Sequence, residues 1–188
     1  MSLELYYFLL ASSLTVVYGS ILEWVIHNKI MHDPRYKLPY RRHTVEHHKF
    51  RKAPGRYYAK SEEDAAYHLF ETSYMPVVFL LNIPYYTLWY HLGGVGGCLG
   101  ATLVSLGYIL TYEVFHWAMH AQTGFYFNNW AWFEFLREHH RRHHKWARIN
   151  YNVVCPLADI LFLTFSTREL EPEPETSSQT TPSILRHT

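Results

Sequence analysis

Three stretches of the chain are apolar for about 20 residues each. Residues 6–26 read YYFLLASSLTVVYGSILEWVI, 75–92 read MPVVFLLNIPYYTLWYHL, and 98–115 read CLGATLVSLGYILTYEVF. A helix of that length crosses a hydrocarbon layer of roughly 30 Å. Tyr and Trp, which favour the membrane–water boundary, gather at their ends. The pattern predicts three spanning helices. Pro84 is expected to kink the second, and HLGGVGG, residues 91–97, to turn the chain into the third. No positive segment precedes the first stretch, and it runs on into chemically loaded residues, so it reads as a retained span and not a cleaved leader.

The polar remainder predicts less regular structure. In SEEDAAYHLFE, residues 61–71, Ser61 is a plausible helix N-cap followed by three acids, the start of an interfacial helix. From residue 167 the chain is rich in Pro, Glu, Ser and Thr, which predicts disorder. The expected division is therefore a membrane domain over 1–166 and a disordered tail over 167–188.

Charge adds direction. The 188 residues carry 17 Lys and Arg against 16 Asp and Glu, a net charge of +1 that gives no footing for nucleic acid. All 17 basic residues lie outside 1–28 and 61–136. By the positive-inside rule the loop after the first span faces the cytoplasm, and the turn at 91–97 faces away. Two cysteines, Cys98 and Cys155, provide neither a disulfide framework nor a CxxC zinc site.

The candidate chemistry lies on that basic side. Histidine clusters into four boxes: HNKIMH (His27, His32), HTVEHH (His43, His47, His48), HWAMH (His116, His120) and HRRHH (His140, His143, His144). Residues four apart on a helix share a face, so His116 with His120, His43 with His47, and His140 with His143 or His144 can each reach one ion. Adjacent histidines such as His47 and His48 diverge by about 100° and suit two ions side by side. Ten imidazoles exceed what one ion can hold. His139, His68 and His91 fall outside this spacing and read as supporting or surface residues. Imidazole suits Zn, Cu, Fe and Ni, so ligand type alone does not name the metal. There is no HExxH, as a zincin-type protease would have. Glu23, four before His27, and Glu113, three before His116, each share a helical face with a histidine and are candidate carboxylate acceptors for its ring N–H. Asp159, in the apolar run PLADILFLTF, is a third such candidate. Asn150 and Asn152 could order the last box or form a turn.

The box order His-x4-His, His-x3-His-His, His-x3-His, His-x2-His-His resembles that of the fatty acid hydroxylase/sterol desaturase superfamily of membrane histidine-box oxygenases. NYNVVCPLADILFLT, residues 150–164, is similar to that family's closing pattern, Asp159 matching its aspartate. The likeness runs from about residue 10 to 165. Three positions depart from it. The second box has three residues after His43 where two are commoner, Val153 stands where Gly is common, and Leu163 stands where Gly usually precedes the Thr.

The resemblance implies an all-α integral membrane protein of three or four transmembrane helices, with a cytoplasmic helical cap holding a histidine-rich dimetal site. It implies two iron ions that activate O2 and insert oxygen into an unactivated C–H of a lipid, most simply a fatty acyl chain. Such chemistry needs a redox metal, so zinc would be an inert substitute. It also implies a separate electron donor, of cytochrome-b or ferredoxin type. The membrane would be the endoplasmic reticulum in a eukaryote or the inner membrane in a bacterium. A carotenoid hydroxylase, sterol oxidase or desaturase would use the same scaffold, and small β-carotene hydroxylases are similar in size and first box. A metal transporter or sensor is the non-enzyme alternative. For the enzyme, Tyr85, Tyr86, Trp89 and Tyr108 are the expected lining of the lipid's path.

Overall fold

The computed structural model describes residues 1–53, 55–61, 64, 74–121 and 125–170, and these are helical with no strand among them. Helix α1 is Leu3–Val25, and wide π-type turns over Ile26–Met31 prolong it. One helical turn, α2 (Lys37–Tyr40), leads into a second π-type segment, Arg41–His48, and then α3 (Lys49–Arg51). Helices α4 (Met75–Leu81) and α5 (Ile83–Ala121) follow, then α6 (Ala131–Lys145) and the short α7 (Leu157–Leu161).

The long α5 is two helices joined at a reversal. Gly93 and Gly94 leave helical geometry, and Gly94 at φ 61° takes a conformation open to glycine at no steric cost. The contacts show the chain doubling back. Asn82 and Tyr85 meet Tyr18, and Gly93 meets Tyr7, so the first half runs antiparallel to α1. Gly96 meets Glu4, Gly100 meets Phe8 and Tyr108 meets Glu23, so the second half runs parallel to it. A side chain at Gly97 would strike the carbonyl of Trp89, so the halves approach closely only because this residue has no Cβ. The expected turn is thus present but shorter than the 91–97 stretch. Pro84 does not kink a continuous span. The break falls at Asn82, and Pro84 sits in the first turn of α5, where its missing N–H costs nothing.

Residues 3–31 and 83–121 are each long and apolar enough to cross a membrane. Their leucines face outward: Leu3, Leu88, Leu92, Leu103 and Leu110 are all more than half exposed. An outward apolar surface of that extent marks a site of contact with a membrane or another protein. The buried contacts are on the inner faces, where Ala11, Tyr86, Trp89 and Ala101 pack together.

All the histidine boxes lie at the end of this bundle opposite Gly94. Helix α6 caps that end, burying Phe133, Leu136, His139, His140, His143 and His144. Arg141 and Lys145 leave that face, Arg141 pairing with Glu138 at 3.0 Å. Ser61 accepts the amide of Asp64 at 3.1 Å, consistent with an N-cap, but most of the helix expected there lies outside the described residues. So does the tail from residue 171. Arg168, within the segment expected to be disordered, is held: its carbonyl accepts from Arg142 at 2.8 Å and its guanidinium lies over Trp146.

Candidate metal centre

Ten histidine side chains converge, and they sort into two groups of five. His27, His32, His43, His48 and His143 form one group, and His47, His116, His120, His140 and His144 the other. Within each group the ligating nitrogens all lie within 4.8 Å of one another. These are the ten histidines of the four boxes. His139 and His91 are in neither group, and His68 lies outside the described residues.

Local geometry explains the sorting. In α5 and α6 the ordinary helical repeat puts His116 beneath His120 and His140 beneath His144. The first two boxes use a different repeat. His27 pairs with His32 and His43 with His48, five residues apart, and both pairs lie along π-type turns, whose hydrogen bonds run to the fifth residue. The expectation that His43 and His47 share an ion is therefore corrected: they fall in different groups. The extra residue in the second box is absorbed by the wider turn, which keeps His43 in place.

In the first group the Nε2 atoms form a chain of short separations: His27–His43 2.8 Å, His43–His48 3.0 Å, His48–His143 3.1 Å and His143–His32 3.1 Å. In the second, His116–His47 is 3.2 Å, His47–His144 3.1 Å, His144–His140 3.0 Å and His140–His120 3.2 Å. Two nitrogens held about 2.1 Å from one ion at right angles lie about 3.0 Å apart, so these spacings fit the edges of a coordination shell. Three rings settle their proton by their other nitrogen. Nδ1 of His27 donates to the Tyr151 carbonyl, that of His143 to Ile149 at 2.7 Å, and that of His120 to Tyr57 at 2.9 Å. A carbonyl only accepts, so each of these rings carries its hydrogen outward and points a bare lone pair inward. Burial, reinforced by neighbouring imidazoles, holds His48, His140, His143 and His144 well below the ordinary histidine range. They are therefore neutral, the form that binds a metal. The donor set fits a pair of borderline transition-metal ions with five imidazoles each.

The expected carboxylate acceptors are placed differently. Glu23 is buried but does not meet His27. It accepts the amide of Val153, the Tyr108 hydroxyl at 2.6 Å and the Asn152 amide side chain at 3.2 Å. Asp159, fully buried, accepts His139 Nε2 at 2.9 Å, the amides of Tyr151 and Asn152 at 2.9 and 2.8 Å, and the Thr164 hydroxyl at 2.6 Å. It therefore pins the loop whose Ile149 and Tyr151 carbonyls orient His143 and His27. Asn150, at φ 56°, donates to the carbonyls of His139 on α6 and of Ser166, and so ties α6 to the segment after α7. Glu113 is buried on α5 one turn before His116. The backbone acceptors Tyr57, Ile149 and Tyr151 escaped the sequence reading, because a carbonyl has no residue-type signature.

A cavity of about 380 Å³ opens beside the first group, between α1, α4 and the second half of α5. Its wall is mostly apolar, and it reaches His27 and His43 but no histidine of the second group. Of the aromatics expected to line a lipid path, Tyr108 does so. Tyr86 and Trp89 are instead buried in the packing of α1 against α5, and Tyr85 stacks on Tyr18. Comparison of the chain with family models, curated proteins and solved structures returns no match.

Proposed function

We propose that this chain is a membrane-bound, O2-dependent lipid hydroxylase of the fatty acid hydroxylase/sterol desaturase type, acting on a fatty acyl chain. One observation carries the reading. Two five-imidazole groups lie side by side at the end of membrane-length helices, and one of them faces an apolar cavity between those helices. Iron bound by the ten histidines would supply activation of O2 and attack on an unactivated C–H bond.

The chain's own residues provide the rest. Tyr57, Ile149 and Tyr151 fix ring orientation, and burial keeps the imidazoles neutral. The apolar cavity excludes water and holds the substrate against His27 and His43, so position selects the carbon that reacts. Entry from the bilayer is lateral, between α1 and α4. The helices span the membrane three times, with the reversal at Gly93–Gly94 on the far side. The basic loop beside the boxes orients the histidine end to the cytoplasm. Electrons come from a separate donor protein.

Expression in a host without this activity, under isotopic O2, tests the reading. The expected product is an acyl lipid carrying one labelled oxygen. An unlabelled new double bond would mark a desaturase, and a labelled carotenoid or sterol with unchanged acyl chains would reassign the substrate. Metal uptake into cells without oxygen consumption would mark a transporter.

A further inference from the structure

Along α1 the cavity's lining stops at Tyr18. Its lining residues on α1 and the π-type turns that prolong it run from Tyr18 to Met31. At the Tyr18 end that side chain is held on two sides: its ring stacks on Tyr85 with centroids 4.1 Å apart and planes 9° apart, and its hydroxyl donates to Asn82 Oδ1 at 2.5 Å. Asn82 in turn donates to the Val78 carbonyl at 2.7 Å, and the Tyr85 hydroxyl lies 2.9 Å from Thr15 behind this wall. Asn82 occupies the break between α4 and α5 and is only 5% exposed. A hydrogen-bonded tyrosine and carboxamide at the depth of the apolar spans are costly unless they serve a purpose. A simple tie between helices would not need to sit at the end of a cavity.

The dimensions suit one acyl chain. The volume lies in the range of ligand pockets, about 300–1,000 Å³. Tyr18 precedes His27 by nine residues, about 13 Å along a helix axis, and an extended chain advances about 1.2 Å per bond. That leaves room for roughly ten methylenes between the carbon beside His27 and the Tyr18 ring.

We infer that the Tyr18–Asn82 pair is the floor of the acyl site and sets the chain length this protein accepts. The inference rests on the lipid reading of the cavity and adds the residues that determine its specificity.

Binding tests it independently of turnover. Saturated fatty acids of stepped length would displace a fluorescent fatty acid from the metal-loaded protein in nanodiscs. The wild type should show an optimum length. Tyr18→Ala should move it longer by roughly two to four methylenes, the reach of the lost ring. Leu22→Trp, which adds bulk about one turn nearer His27, should move it shorter, and Tyr18→Phe should leave it in place. Opposite shifts from Tyr18→Ala and Leu22→Trp are not produced by loosened packing. Asn82→Ala, with the same expected direction as Tyr18→Ala, replaces it if that variant does not fold. An optimum that moves with neither floor variant would overturn the inference while leaving the lipid reading intact. Wild-type protein that binds its metal but no fatty acid of any length would overturn both.

Discussion

His47 and His48 are neighbours in the chain, yet they serve opposite sides of the site. Their rings stand 86° apart, Nε2 of His47 lies 3.1 Å from that of His144, and Nε2 of His48 lies 3.1 Å from that of His143. Two adjacent pairs, one on the π-type segment and one on α6, are thus each divided between the groups. This interleaving makes the two histidine groups share their scaffolding while keeping their members separate.

Metal counts on double variants follow from the division. His43→Ala/His48→Ala removes two ligands from one group and leaves the other complete, so one ion per chain should remain. His43→Ala/His47→Ala takes one ligand from each group and should weaken both ions together, with no single tightly held ion left over. An ordinary α-helical repeat predicts the reverse. Metal analysis of the two purified proteins separates the arrangements.

Asp159 and His139 should differ in their effects. Asp159→Ala leaves two backbone amides, a hydroxyl and an imidazole without their buried acceptor and should cost about 3 kcal/mol or more of stability. His139→Ala leaves Asp159 its other donors, so it should cost only about 1–2 kcal/mol and retain two ions. Thermal unfolding with metal analysis reads both. Loss of an ion in His139→Ala at unchanged fold would place that residue among the ligands.

Leu163 is 92% exposed and sits at φ 58°, the left-handed region that disfavours a side chain. Glycine takes that backbone conformation at no steric cost. Leu163→Gly should therefore raise stability by about 1 kcal/mol, measured as a higher unfolding midpoint. An unchanged or lower midpoint would contradict strain at this position.

The sequence made the ten histidines, the apolar spans and the glycine reversal legible because each leaves a periodic or compositional trace. The pairing within the second box was not legible. His43 and His47 stand at α-helical spacing, and only the backbone reveals that the segment winds in wider turns. Glu23 was placed on the right face of α1, but the loop at 152–153 reaches its carboxylate while His27 turns to Tyr151. Such choices are set by tertiary approach, which no local pattern encodes.

Topology is open to a direct check. Val95, beside the reversal and 58% exposed, can be changed to Cys in a chain whose Cys98 and Cys155 are replaced by Ser. An impermeant thiol reagent should label it only from the side opposite the histidine loops. Labelling from the cytoplasmic side alone would contradict the arrangement.

The metal content of the wild-type chain tests the central claim most directly. Protein purified after iron loading, quantified by amino-acid analysis and assayed for metals by mass spectrometry, should carry two iron ions per chain. A content of one ion or fewer would contradict a site built from two groups of five imidazoles.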